Sequence, residues 1–192
     1  MLFRSRLPEH HRYMRINGEL VPTSIDNIGV YVDAVHKVAD KYIGHELLVQ
    51  CGVEVGYFPG CEDEMRKLFQ KYQFHYKIGS VHQVSETDIC NQKSMKAAPS
   101  HYDLEKFADL VYEDLIKSAE SRLFDVLGHI DMYKKYGTQP YGKRINNIHK
   151  GRIDKLFETM IENSCGLEIN TASIRKGFTD RKSTRLNSSH RL

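Results

Sequence analysis

Apolar positions along the chain alternate between helix-like and strand-like spacing. Intervals of three and four residues recur in four segments, which predicts helices over residues 25–42, 65–72, 104–115 and 153–160. Thr23 and Ser24 precede the first segment and are its expected N-cap. A continuous apolar run follows each helix and predicts a buried strand, at residues 47–55, 76–82, 124–128 and 166–171. Strands that alternate with helices of this length predict an α/β fold, in which βα units build a parallel sheet that is open or closed into a barrel.

Two longer polar stretches follow predicted strands, at residues 84–100 and 133–147. We expect both to be loops over the carboxyl edge of the sheet, where substrate-selecting loops lie in this class of fold. No strand is predicted before the first helix, and a (β/α) barrel takes roughly 200 residues or more. We therefore expect residues 1–178 to form part of a barrel domain. Residues 179–192 have no apolar period and resemble translated sequencing adapter, which predicts a disordered, non-native tail.

Composition and charge are those of an ordinary globular protein. The 192 residues are 40% hydrophobic and 28% charged, and the formal net charge of +3 is too small to indicate a nucleic-acid-binding protein. The four cysteines form no CxxC pair, so neither a zinc knuckle nor a disulfide framework is predicted. No apolar run approaches the roughly 20 residues of a membrane span, and the first residues lack the apolar core of a secretory signal. These features predict a cytoplasmic protein with reduced thiols.

Three potential metal ligands lie at or near the ends of the apolar runs. Glu54 lies near the end of LLVQCGVEV, His82 ends YKIGSVH, and His129 ends FDVLGH. Because the carboxyl ends of parallel strands meet on one face, we expect these side chains to converge. One carboxylate with two imidazoles indicates a hydrolytic metal site that suits Zn, Mn or Fe. A single His at a strand end is more often a hydrogen-bonded structural residue, and a buried Arg or Lys is the alternative partner for Glu54.

Three further residues are candidates for supporting roles. Asp131 lies two residues beyond His129, where it would either orient a ligand or cap the next loop. Asn170, in the last predicted strand, is expected to fix the turn beside the site rather than to contact substrate. Arg175 follows that strand and would bind a phosphate through its planar fork of donors, the alternative being a solvated surface arginine.

Four sequence blocks resemble those of the polymerase and histidinol phosphatase (PHP) superfamily. They read GVEVGYFPG, FHYKIGSVH, FDVLGHIDMYKKYG and LEINTASIRKG, in the order and spacing of that family, and the resemblance extends over residues 7–177. The PHP-type histidinol-phosphatases are the most similar branch. The resemblance implies a distorted (β/α)7 barrel that holds up to three metal ions and hydrolyses a phosphomonoester at its carboxyl face. By position, Glu54 would bridge two metals, while His82 and His129 would bind one of that pair.

Departures from the family pattern lower the activity expected of these 192 residues. The H-x-H and D-x-H blocks of the family, which supply the other ligands, have no counterpart here, and Gly56 and Ser173 stand where the family usually has Asp and Gly. We predict a histidinol-phosphatase that converts L-histidinol phosphate to L-histidinol in histidine biosynthesis, with impaired activity in this chain. The expected partner is a small phosphomonoester rather than nucleic acid or membrane. The alternatives are a PHP phosphoesterase or exonuclease with another substrate, and an inactive fragment.

Overall fold

The computed structural model describes residues 13–171, which form both helices and strands. In chain order the elements are β1 (Tyr13–Ile16), β2 (Glu19–Pro22), α1 (Ile25–Lys41), β3 (Gly52–Tyr57), α2 (Glu62–Lys71), β4 (Tyr76–Val81), β5 (Gln83–Val84), β6 (Thr87–Asp88), α3 (Gln92–Ala97), α4 (Leu104–Glu120), β7 (Val126–Leu127), α5 (Lys134–Tyr141), α6 (Ile153–Glu162) and β8 (Gly166–Leu167). Short 3₁₀ turns follow α3 and α5. The predicted phosphate ligand Arg175 and the predicted tail at residues 179–192 lie outside the described residues.

Four strands form a parallel sheet in the order β3-β4-β7-β8. Glu54 of β3 lies opposite Ile78 of β4, and Gly79 lies opposite Leu127 of β7. Leu127 in turn lies opposite Leu167 of β8. Each strand therefore adds to the same side of its predecessor, as consecutive strands do in a (β/α) barrel. The prediction of an α/β fold with a parallel sheet is confirmed, and the strand order is compatible with an arc of such a barrel.

The four predicted helices are present as α1, α2, α4 and α6. Ser24 caps the first of them, because its Oγ accepts a hydrogen bond from the backbone N–H of Asn27 at 3.1 Å. The first parallel strand begins later than predicted, at Gly52 rather than at residue 47. Gly52 lies opposite Tyr76, the first residue of β4, so the preceding apolar residues have no strand to pair with. Within residues 13–171, no helix combines the length and the apolar composition that a membrane span requires.

The two polar stretches predicted to be loops contain helices, so that prediction is wrong. Asn91 caps α3, because its side-chain oxygen accepts hydrogen bonds from the backbone N–H groups of Lys93 and Ser94, at 2.9 and 3.1 Å. Met95 in α3 and Tyr133, which directly precedes α5, are almost completely buried. A few buried residues hold each short helix against the core, although they are too few to form an apolar stripe in the sequence.

A β-hairpin precedes α1, where no strand was predicted. β1 pairs antiparallel with β2, and the turn between them contains Asn17 and Gly18 at φ values of 51° and 87°. Asn-Gly is the residue pair that a type I′ turn prefers, because both central residues need positive φ. The hairpin forms a two-stranded sheet of its own. Among the described residues, it therefore does not extend the parallel sheet beyond β3.

Helix α4 packs in the core and contacts β4, β7 and α6. Phe107, Val111 and Leu115 of α4 are buried, at helical spacing. On the sheet side, the Phe124 ring packs directly on Gly79 of β4, where a Cβ would lie only 2.5 Å from the ring carbon Cγ. The absence of a side chain at Gly79 thus allows this ring to lie directly against the strand that leads to His82.

Candidate metal centre

Glu54, His82 and His129 come from three neighbouring strands of the parallel sheet. His82 follows β4 directly, and His129 follows β7 after one intervening glycine. Glu54 lies in the middle of β3 rather than at its carboxyl end. The carboxylate nevertheless reaches the two imidazoles, because its side chain is long and points to the same face of the sheet. The expected convergence of the three residues is therefore present.

The three potential ligand atoms form a compact triangle. His129 Nε2 lies 3.2 Å from His82 Nε2 and 3.2 Å from Glu54 Oε1, and His82 Nε2 lies 3.6 Å from the same oxygen. A triangle with these sides has a circumradius of about 1.9 Å, so a point at the Zn–N and Zn–O distances of about 2.0–2.2 Å from all three atoms lies just off their plane. Within residues 13–171, only this group of His, Cys, Asp and Glu side chains has three ligand atoms within 4.8 Å of one another. The residues present fit one divalent ion.

Burial differs sharply between the carboxylate and the imidazoles. The side chains of His82 and His129 are 12% and 11% exposed, whereas that of Glu54 is 47% exposed. The strand that carries Glu54 was predicted to be buried, and this is wrong for the Glu54 side chain, because among the described residues no strand covers the outer edge of β3. The imidazoles are thus held inside the fold, and the triangle is open to solvent on the side of the carboxylate.

Electrostatics favour a negative charge on Glu54. The hydrogen bond with His129 lowers the pKa of this carboxyl most. The hydrogen bond from Ser80 and the charges of the two imidazoles lower it further. Together they outweigh the effect of burial and lower the pKa of Glu54 to about 2. Burial disfavours the imidazolium form of His129, but the Glu54 carboxylate, with smaller contributions from Glu168 and the backbone of Gly128, outweighs this effect and raises the pKa of His129. The convergent lone pairs thus attract positive charge, which a proton or a divalent ion supplies.

Ser80 is a residue of the site that the strand-end pattern missed. It is completely buried in β4, and its Oγ donates a hydrogen bond to Glu54 Oε1 at 2.8 Å. The bonded oxygen is the one that faces both imidazoles. A signal was present, since Ser80 belongs to the block KIGSVH, two residues before His82. Alternate residues of a strand face the same side, which places Ser80 on the side of the ligands.

Glu168 is a second residue that the sequence pattern missed. It follows β8, and its Oε2 accepts a hydrogen bond from the backbone N–H of His129 at 2.9 Å. His129 adopts a φ of 24°, in the left-handed region that non-glycine residues seldom occupy. Asn170 Nδ2 donates to the other carboxylate oxygen of Glu168 at 3.4 Å. Asn170 therefore touches the site through Glu168, and its supporting role stays a prediction.

Asp131 lies in the loop after His129, as the sequence indicates, and its carboxylate faces the buried ammonium group of Lys134. The Oδ2–Nζ distance is 3.6 Å, and the Lys134 side chain is 7% exposed. This pair connects the ligand loop with the first turn of α5. The role of Asp131 in orienting a ligand stays a prediction.

Comparison with known protein families decides the family of the chain. The model of the PHP domain matches residues 16–172, which include all three potential ligands. The chain belongs to the PHP domain family. Two curated relatives of this PHP chain are both named probable histidinol-phosphatase. The protein from Clostridium acetobutylicum is 23% identical over 146 residues, and that from Deinococcus radiodurans is 29% identical over 113 residues.

A solved structure also resembles this PHP chain. It is the histidinol phosphate phosphatase from Lactococcus lactis in complex with zinc, L-histidinol and phosphate, which matches with a TM-score of 0.66 at 14% identity. The match covers 86% of this chain and 59% of that protein. The aligned regions of the Clostridium and Deinococcus proteins cover 76% and 59% of this chain, and 55% and 43% of their own lengths. The PHP chain therefore spans about half the length of its curated relatives.

Proposed function

We propose that Glu54, His82 and His129 bind a divalent metal ion, and that this site serves a PHP-family phosphoesterase acting on L-histidinol phosphate. The proposal rests on the triangle of ligand atoms, whose sides of 3.2, 3.2 and 3.6 Å fit one ion. Two imidazoles and a carboxylate suit Zn, Mn or Fe. When bound, a divalent ion supplies Lewis acidity toward a phosphoryl oxygen and an activated water.

The buried and the exposed side chains of this site have different roles in the proposal. His82 and His129 are almost buried, so packing holds their rings in the ligating orientation. Ser80 fixes the ligating oxygen of Glu54 by a hydrogen bond of 2.8 Å. The exposed side of Glu54 is the side from which a phosphomonoester approaches. Arg175 remains the proposed ligand of the phosphate, because a guanidinium binds two phosphate oxygens at once.

The names of similar proteins support L-histidinol phosphate as the proposed substrate. Two curated relatives are named probable histidinol-phosphatase, and the Lactococcus structure contains L-histidinol and phosphate. Hydrolysis of L-histidinol phosphate by this chain would release the same two molecules, as a step of histidine biosynthesis. Because the chain spans about half the length of those relatives, the turnover that we propose for it is impaired relative to that of a whole enzyme.

The metal site is tested by titration of the metal-free chain with Zn²⁺ and Mn²⁺ in a calorimeter. We expect one ion per chain in the wild type and a loss of binding in His82→Ala and His129→Ala. His36→Ala is the matched control, because His36 is exposed on α1 and distant in sequence from the three ligands. Equal affinity in the wild type and in both ligand variants would overturn the assignment of the site.

Substrate choice is tested on the zinc-loaded chain with L-histidinol phosphate and, as the competing class, a single-stranded oligonucleotide. We expect L-histidinol phosphate to bind more tightly, and its binding to weaken after removal of zinc with EDTA, in Glu54→Gln and in Arg175→Ala. Phosphate release should be slow, because three side chains hold one ion whereas the family resemblance implies up to three. Tighter binding or faster cleavage of the oligonucleotide would overturn the substrate assignment while leaving the metal site intact.

A further inference from the structure

The loop that carries His129 is bonded to Glu168 at two points. The backbone N–H of Glu168 donates to the carbonyl of Leu127 at 3.0 Å, which continues the pairing of β8 with β7. The side chain of Glu168 then turns back, and its Oε2 accepts from the backbone N–H of His129 at 2.9 Å. The backbone and the carboxylate of one residue therefore bracket the glycine between Leu127 and His129.

Gly128 allows this approach because it has no side chain. A Cβ at this position would lie 2.7 Å from Ser80 Oγ, 2.9 Å from Ile78 Cγ2 and 3.4 Å from Glu168 Oε2. The chain thus passes between Ser80, which holds Glu54, and Glu168, which holds the next peptide group. Both hydrogen bonds depend on the small size of the residue between them.

The backbone N–H that Glu168 binds belongs to His129, whose backbone conformation is unfavourable. His129 has a φ of 24°, and a non-glycine residue remains in this region only where its surroundings impose it. In this conformation His129 Nε2 lies 3.2 Å from both Glu54 Oε1 and His82 Nε2. A hydrogen bond to the N–H of His129 acts on the same residue whose backbone sets the direction of its imidazole.

We propose that Glu168 is a positioning residue for the metal site. Its carboxylate holds the backbone of His129 in the left-handed conformation, and so directs the imidazole toward Glu54 and His82. Asn170, whose Nδ2 lies 3.4 Å from Glu168 Oε1, orients the carboxylate. Glu168 contributes no ligand atom to the triangle. This inference rests on the proposed metal site and adds the residue that aligns it.

Two conservative variants of Glu168 separate its hydrogen bond to the His129 backbone from the effect of its charge. Glu168→Gln removes the charge but keeps an oxygen that accepts the N–H of His129, whereas Glu168→Asp keeps the charge but is one methylene too short to reach it. Glu158→Gln is the control for the loss of a charge, because Glu158 is exposed on α6. The probe is Co²⁺, whose visible absorption reports its coordination, and thermal unfolding without metal shows that each variant folds.

We expect Glu168→Gln and Glu158→Gln to bind Co²⁺ as the wild type does. Glu168→Asp should bind it about 10- to 100-fold more weakly, the usual loss when an outer partner of a metal ligand is removed, with an altered absorption spectrum. Wild-type affinity in Glu168→Asp would overturn the proposal. So would a loss confined to Glu168→Gln, since the carboxylate would then act by its charge or as a ligand.

Hydrogen exchange of the His129 amide distinguishes this proposal from the metal site itself. The N–H of His129 should be protected in the metal-free wild type and in Glu168→Gln, and should exchange faster in Glu168→Asp. If the wild type binds no Co²⁺ but shows this pattern, the proposed function fails and the holding of His129 stands. Unchanged exchange in all variants would overturn the role of Glu168, whatever the metal affinity.

Discussion

The hydroxyl group of Ser80 in β4 donates a hydrogen bond to Glu54 in the neighbouring strand β3, with 2.8 Å between Oγ and Oε1. The serine is completely buried, whereas the Glu54 side chain is 47% exposed. The exposed carboxylate is therefore held from its buried side, by a donor that water cannot displace. This relationship fixes the oxygen that faces both imidazoles.

Ser80→Ala is expected to weaken Zn²⁺ binding about ten-fold, the low end of the loss for partners of metal ligands, because Glu54 then samples other rotamers. Isothermal titration calorimetry measures the change. Ser118→Ala is the matched control, because Ser118 is buried in α4 and its Oγ has no hydrogen-bond partner within residues 13–171. Equal Zn²⁺ affinity in Ser80→Ala and Ser118→Ala would show that the bond to Glu54 does not orient the ligand.

Gly79→Ala should destabilise the chain by about 1–3 kcal/mol, the usual cost of inserting a group into a packed core. The new Cβ would lie 2.5 Å from Cγ of the buried Phe124 ring. Gly52→Ala is the control in the adjacent strand, because its Cβ would meet Tyr76 only at 3.4 Å or more. Urea unfolding gives both free energies, and an equal effect of the two substitutions would contradict the packing of Phe124 on Gly79.

Asp114 makes the stability of the chain depend on pH. It is buried in α4, and burial raises the pKa of its carboxyl from 3.8 to about 7. The folded state therefore keeps the proton to higher pH than the unfolded state does. The stability that the neutral carboxyl contributes is fully present below about pH 4 and is lost as the pH rises to about 7.

Asp114→Asn should remove this dependence, because the amide stays neutral at every pH in the range. We expect the variant to match the wild type near pH 4 and to exceed its unfolding free energy by roughly 3–4 kcal/mol at pH 8, as the shift in pKa requires. Urea titrations at pH 4, 6 and 8 measure the difference. Asp33→Asn, at an exposed position of α1, is the control. A difference that does not grow with pH would contradict the buried, raised-pKa carboxyl.

Removal of residues 179–192 should leave the free energy of unfolding unchanged within about 0.5 kcal/mol, the range of featureless surface changes. The reason is composition, since TRLNSSHRL and the residues before it offer no apolar face to bury. Thermal unfolding of the chain with and without these residues measures the effect. A clear fall in the melting temperature on truncation would count against a non-native tail.

Much of the fold was visible in local sequence patterns. The helical spacing from Ile25 onward and the cap at Ser24 predicted α1, and the same reasoning predicted α2, α4 and α6. The hairpin before α1 was missed although its signal, Asn17 followed by Gly18, is also local. The helices α3 and α5 were missed for a different reason. They are held by isolated buried residues such as Met95, whose burial depends on neighbours far away in sequence.

The sequence by itself predicted which potential metal ligands converge. Glu54, His82 and His129 stand in or just after apolar runs, and parallel strands bring such positions to one face whatever the rest of the fold. Only the tertiary structure decided how those residues are held. The bond from Ser80 to Glu54 and the bond of Glu168 to the backbone of His129 join residues 26 and 39 positions apart. Such contacts depend on strand register and on backbone conformation at a single residue, and neither leaves a periodic trace in the sequence.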